Sequence, residues 1–198
     1  ASLWAVRLAM EPLDAALHEQ LVRQVPDHEQ MIEGYVTELH PVGAGFMGSL
    51  AAMFAGGRGA AILFDYGFPA HEYYLDQRIG GTLMCHYRHH AHPDPFYLPG
   101  LQDITAHVDF TAMALASQDA GLPVLAYMSQ AAFLLGAGIG ELLLENDPED
   151  ARHFLPQSRA VQKLVSPAEM GELFKVLVVG QDVELPEPIV RADRSHRL

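Results

Sequence analysis

Two short stretches hold most of the residues whose types and spacing could do chemistry. The first is Asp65-Tyr66-Gly67, which closes the apolar run Ala60 to Phe64. Ligands of open α/β sheets bind in the crevice beyond the carboxyl ends of the strands, so a carboxylate directly after a buried-type strand stands where a ligand would be met. Gly67 permits close approach of backbone to a ligand or a positive φ, while a plain turn with Asp65 satisfying nearby amides uses the same residues. The second stretch runs from Gln102 to Phe110, where Gln102, Asp103, Thr105, His107 and Asp109 are interleaved with apolar Ile104, Ala106 and Val108. Residues two apart in an extended segment share a face, so these polar groups are expected to converge. The competing expectation is a loop-to-helix entry in which Asp109 caps the helix and Asp103 or Thr105 closes a turn.

Three further clusters have weaker chemistry. His86, His89, His90, His92 and Asp94 offer imidazole and carboxylate groups to a metal, which would make a metal-dependent hydrolase an alternative. Their spacing does not give the i, i+4 pair a helical site uses, and Pro93 and Pro95 indicate irregular loop, so no metal is expected. Glu72-Tyr73-Tyr74, with Arg78 and Gly80-Gly81-Thr82, can shape a substrate pocket or anchor packing. Cys85, the single cysteine, excludes an internal disulfide and reads as a buried inert thiol. Neither a Gly-x-Ser-x-Gly elbow nor a phosphate-binding lysine loop occurs.

The elements that must position these groups follow from periodicity and caps. A short strand is expected at 3–10, then a helix from Leu13 to Val25 with Leu13, Leu17, Leu21 and Val25 on one stripe. An extended segment covers Met31 to Leu39, and Gly43-Ala-Gly45 reads as a turn into a helix from Phe46 to Phe54, stopped by Gly56-Gly57. The run at 60–64 predicts a strand buried on both faces of a mostly parallel sheet. Residues 69–100, rich in His, Pro, Gly and Tyr, predict a long functional loop or lid. Asp109 predicts a helix to about Ala120, followed by a strand at Val124 to Met128. Ser129 predicts a helix reaching about Leu144; another is expected near Glu149 to Leu164, and a short one after the capping box at Ser166. Phe174 to Val179 is a strong strand, and the tail 184–198 is expected to be loose.

With 198 residues, 49% of them hydrophobic, the chain can bury a core of its own, and the element order is α/β. A net charge of −13 argues against nucleic acid, which requires clustered Lys and Arg; it suits a cationic partner, while simple solubility is the plainer reason for it. No apolar run approaches the roughly 20 residues of a membrane span, so no membrane insertion is expected.

Taken together, Leu63-Phe64-Asp65-Tyr66-Gly67, Glu72-Tyr73-Tyr74, Gly80-Gly81-Thr82-Leu83, the Gly100 to Phe110 block and Met170 to Leu177 resemble the C-terminal half of the MidA-type methyltransferases. The likeness extends from about Tyr35 to Gln181. It implies part of a Rossmann-like class I methyltransferase that uses S-adenosylmethionine to methylate a protein; the mitochondrial member acts on an arginine of a respiratory complex I subunit. Residues 1–183 would then be the C-terminal portion of the domain, with the family's glycine loop and ribose acid preceding residue 1, so no cofactor-binding residue is assigned. Asp65, Asp103 and Asp109 are implied as the carboxylates that hold the acceptor guanidinium, with His107 accepting a proton. Glu38 and Glu72 stand behind them, and Tyr66, Gly67, Tyr73, Gln102 and Thr105 complete the substrate side. The expected setting is bacterial cytoplasm or mitochondrial matrix, with homo-oligomers possible through an unpaired sheet edge. A non-catalytic assembly module is the second expectation.

Overall fold

The computed structural model describes residues 11–198, so the strand expected at 3–10 lies outside the described residues. The chain divides into two compact units, one of residues 42–70 and 108–198, the other of residues up to 41 with 71–107.

The larger unit is built on β7 (Phe174–Gln181), flanked on one side by β6 (Val124–Ser129) and on the other by β1 (Gly59–Phe68), both antiparallel to it. A two-residue β5 (Val108–Asp109) completes the order β5-β1-β7-β6, lying parallel to the end of β1 through Gly67↔Val108 and Phe68↔Asp109. The sequence of β7 shows why it is central: Leu177 and Val179 enter one apolar cluster with Met47, Phe110, Leu122 and Tyr127, while Val176 and Val178 enter a second with Ala126, Met128 and Ile189. Alternate side chains point to opposite faces, and here both faces are apolar and covered.

β1 departs from expectation. It pairs antiparallel with β7 rather than sitting in a mostly parallel sheet, and it is not buried on both faces: Ile62 and Phe64 remain 49% and 42% exposed. Its outer edge from Gly59 to Tyr66 pairs with no strand among the described residues.

Helices cover the sheet. α2 (Pro41–Phe54) sends Met47, Leu50, Ala51 and Phe54 to the first cluster. Gly43 and Gly45 lie inside this helix rather than in a turn before it, because Pro41 suits a first helical position and tertiary packing outweighs glycine's weak helix propensity. α4 (Phe110–Asp119) starts where β5 ends. The helix expected from Gln130 to about Leu144 is two, α5 (Gln130–Gly136) and α6 (Ile139–Leu144), parted by Gly138 at φ +88°. α7 spans Ala151–Val165. The short helix expected after Ser166 is a set of turns instead, since the Ser166 carbonyl accepts the amides of both Glu169 and Gly171.

The tail is not loose. α8 (Glu187–Ala192) buries Ile189 in the second cluster, and Asp193 Oδ1 then accepts the Tyr127 amide at 2.8 Å, while the Arg194 amide donates to the Tyr127 carbonyl at 2.7 Å. Those bonds extend the ladder of β6 with a segment sixty-six residues away.

The smaller unit carries α1 (Ala15–Gln24), capped by Asp14, and a three-stranded sheet of β2 (Met84–Tyr87), β3 (His90–His92) and β4 (Asp103–Thr105) in the order β3-β2-β4. The expected long loop thus has elements of its own, among them the single-turn α3 (Ala70–Tyr73) at its start. Met31 to Leu39 is not a strand: turns occupy its first half, and its one ladder contact is the bridge Val36↔Gly80.

Candidate functional site

In the smaller unit the sequence folds around one carboxylate. Glu38 Oε1 accepts the backbone amides of Thr82 and Leu83, each at 2.8 Å, and Oε2 accepts the hydroxyls of Tyr73 and Thr82, each at 3.1 Å. A carboxylate has about four acceptor positions, and the chain's own donors fill that number. Gly81 explains the Gly-Gly-Thr sequence: its φ is +75°, and a Cβ there would lie 2.3 Å from Glu38 Oε1. Successive amides in such a turn form a concave anion seat, occupied here by a side chain of the same protein.

His107 joins the same network through its backbone. Its amide donates to Thr82 Oγ1 at 3.0 Å, and its carbonyl lies 3.3 Å from the Tyr73 hydroxyl. The structure therefore unites Glu38 and Tyr73, expected on the substrate side, with His107, expected as the proton acceptor, and Thr82 is the link. Tyr73 is buried and Glu38 half-buried, and each bonds to other residues of the same unit.

The expected convergence of polar groups from Gln102 to Asp109 does not form. The extended run is short, with β4 ending at Thr105 and β5 starting at Val108. Gln102 turns back, its Nε2 donating to the Pro95 carbonyl at 2.8 Å, and Thr105 Oγ1 donates to the Met84 carbonyl at 3.2 Å. Asp103 is exposed on β4, opposite His86 in register. Glu72 is half-buried, 3.5 Å from His71 Nε2.

His86 lies on β2 and His90 and His92 on β3; among the described residues no group of three or more His, Cys, Asp or Glu is placed to hold a metal. Cys85 is fully buried, and burial, with Asp94 and Asp103 adding to it, pushes its thiol above the ordinary range, away from the reactive thiolate.

In the larger unit, Asp109 is the cap of α4: Oδ1 accepts the Ala112 amide at 3.0 Å, the helix-entry role weighed against a catalytic one. Gly67 is fixed by strand approach, for a Cβ there would stand 2.1 Å from the Val108 carbonyl oxygen and 2.7 Å from its nitrogen. Its φ is not positive, so the left-handed turn is not its reason. Tyr66 packs edge-on against Phe174 at 5.7 Å. Asp65 is exposed near the carboxyl end of β1, opposite Lys175 in register, and its Oδ1 accepts the adjoining Tyr66 amide at 2.8 Å.

Against known proteins, residues 4–128 match the family model described as "Putative S-adenosyl-L-methionine-dependent methyltransferase". The chain belongs to this family. Among solved structures it is similar to an uncharacterized protein from Burkholderia thailandensis, with 52% identity and a TM-score of 0.86 over 96% of this chain and 50% of that one. It is also similar to a protein of the same organism bound to S-adenosyl-homocysteine, with 53% identity and a TM-score of 0.85 over 96% of this chain and 48% of that one. Among curated proteins, the mitochondrial protein arginine methyltransferase NDUFAF7 of Danio rerio is 31% identical over 134 residues, 66% of this chain and 29% of that protein. The chain thus spans about half the length of the solved relatives and less of the curated one. The mixed α/β fold agrees with the class I methyltransferase type that the sequence resemblance implies.

Thr82 stands out in the sequence only as part of Gly80-Gly81-Thr82, a pocket-shaping stretch, and Asp193 not at all. A double glycine before a hydroxyl residue is the signal for the first, because it marks a seat for an anion. The second is signalled by the spacing Asp193-Arg-Ser195, a side-chain turn in which Ser195 donates to Asp193 Oδ2 at 2.7 Å.

Proposed function

We propose that this chain forms the acceptor-side part of an S-adenosylmethionine-dependent protein methyltransferase whose acceptor is an arginine side chain. The observation that carries the reading is the similarity, at 53% identity over 96% of the chain, to a protein bound to S-adenosyl-homocysteine, the product left when S-adenosylmethionine gives up its methyl group. Arginine as acceptor is supported by the zebrafish relative. The net charge of −13 favours a cationic protein substrate, and a respiratory complex I subunit is the first to test. A mitochondrial matrix setting follows if the chain is eukaryotic, the bacterial cytoplasm otherwise.

The glycines beside the candidate residues do not form a turn that would seat a nucleoside. Gly43 and Gly45 lie within a helix, Gly67 is filled by the Val108 backbone and Gly81 by Glu38. Cofactor binding therefore belongs, in this reading, to the part of the protein that the longer relatives carry beyond the matched half. What this chain contributes is acceptor chemistry. Asp65 is an exposed carboxylate that accepts the adjoining Tyr66 amide, so it is able to pair with a guanidinium, and such charge-assisted pairs are about twice as strong as neutral hydrogen bonds. Asp103, exposed on β4, is the second such group.

The test uses the longest natural chain that contains this sequence, with labelled S-adenosylmethionine and arginine-rich basic peptides. Asp65→Asn should lower turnover about 10- to 100-fold, as expected for removing a charged hydrogen-bond partner, with stability changed by less than about 0.5 kcal/mol because the side chain is exposed. Undiminished turnover would remove Asp65 from the acceptor site. Failure of the unaltered protein to bind S-adenosylmethionine would favour a non-catalytic assembly module.

A further inference from the structure

We propose that Thr82, seated by Glu38 and backed by Tyr73, is a positioning residue that fixes His107. The inference rests on the methyltransferase reading for its activity arm only. Its geometric arm stands on the hydrogen bonds of the smaller unit.

Consider which hydrogens are available. The Thr82 hydroxyl has one, and it faces Glu38 Oε2 at 3.1 Å; its oxygen then accepts from the His107 amide at 3.0 Å. The Tyr73 hydroxyl has one hydrogen to divide among Glu38 Oε2 at 3.1 Å, Thr82 Oγ1 at 3.2 Å and the His107 carbonyl at 3.3 Å. A charged acceptor orients both hydroxyls. Glu38 thereby determines which way the Thr82 oxygen presents its lone pairs, and those lone pairs hold the His107 amide. The carboxylate is itself immobilised by the amides of Thr82 and Leu83, which require Gly81 to lack a side chain.

The result is a closed circuit in which residues 38, 73, 82 and 107, separated by up to sixty-nine positions in sequence, meet at one hydroxyl. The Thr82 hydroxyl holds the His107 amide and the Tyr73 hydroxyl lies against its carbonyl, so the residue has little freedom to shift along the chain. Glu38 and Tyr73 touch no reacting atom in this account. They act on His107 through Thr82, which makes the Gly80-Gly81-Thr82 sequence part of the catalytic apparatus without placing it against substrate.

Two variants in the longest natural chain test this. Thr82→Val preserves shape and removes the hydroxyl; Thr82→Ser restores it. Loss of a hydrogen bond worth about 1.4 kcal/mol corresponds to about tenfold. Thr82→Val should accelerate hydrogen exchange at the His107 amide about tenfold or more and lower kcat for methyl transfer to arginine-rich peptides by a similar factor, leaving the KM for S-adenosylmethionine within about twofold. Thr82→Ser should bring both back to within about threefold of the unaltered protein. A His107 amide as protected in Thr82→Val as in the unaltered protein, or equal damage from both variants, would overturn the proposal. His107→Ala with undiminished kcat would instead remove His107 from the chemistry, and amide exchange in Thr82→Val would still decide the circuit.

Discussion

Gly67 and Gly45 make opposite predictions for the same change. In Gly67→Ala the new methyl would stand 2.1 Å from the Val108 oxygen, 2.7 Å from its nitrogen and 2.8 Å from its carbonyl carbon, all backbone atoms that cannot rotate away. Ordinary contact requires 3.4 Å or more, so β5 must retreat from β1 by more than about 1 Å, breaking the Gly67↔Val108 pairing. Overpacking costs about 1–3 kcal/mol and each lost hydrogen bond about 1 kcal/mol, giving roughly 3 kcal/mol in total. For a chain of this size that is a fall in Tm of about 6–12 °C. Gly45, exposed within α2, has nothing within 4 Å of the added methyl, so Gly45→Ala should stabilise by up to about 1 kcal/mol through helix propensity and raise Tm by about 2–4 °C. Thermal melts followed by far-UV circular dichroism read both. Gly67→Ala melting within about 2 °C of the unaltered protein would refute strand approach as the reason for this glycine and return it to ligand contact.

The C-terminal anchor and the buried thiol give two further expectations. Asp193→Ala removes the acceptor of the Tyr127 and Ser195 amides and should cost about 2 kcal/mol in urea unfolding, whereas an unchanged midpoint would show the tail to be held by Ile189 alone. Because the folded Cys85 thiol titrates above its unfolded counterpart, the folded state binds more protons at alkaline pH. Its contribution is therefore fully present below the unfolded thiol's pKa and is lost as pH rises through the folded value. The unaltered protein should lose stability more steeply than Cys85→Ala between about pH 8 and pH 10, the range around the ordinary thiol pKa, and parallel slopes would contradict this.

How much of this was legible in the sequence depended on how local each cause is. α1 was readable from its apolar stripe, α4 because Asp109 caps it from within one turn, and β7 because Val176 to Val179 is a continuous apolar run. The antiparallel setting of β1 was not readable, since it depends on pairing with β7 more than a hundred residues on. Gly43 and Gly45 misled because local propensity favours a turn there, while burial of Met47 decides for helix. The candidate site shows the same division. The cap by Asp109 is a contact across three residues and was foreseen as the alternative to catalysis. Glu38 reaches Thr82 across forty-four residues, so sequence could mark both as members of a resemblance but not as partners. Convergence of Gln102 to Asp109 was expected from a period of two, and it failed because the extended run stops between β4 and β5.

The most direct measurement is peptide mass spectrometry after incubating the longest natural chain containing this sequence with methyl-labelled S-adenosylmethionine and arginine-rich peptides, beside its Asp65→Asn variant. The account predicts label on an arginine side chain with the unaltered protein and a loss of about 10- to 100-fold with the variant. Label on another residue type, or equal labelling by both proteins, would contradict it.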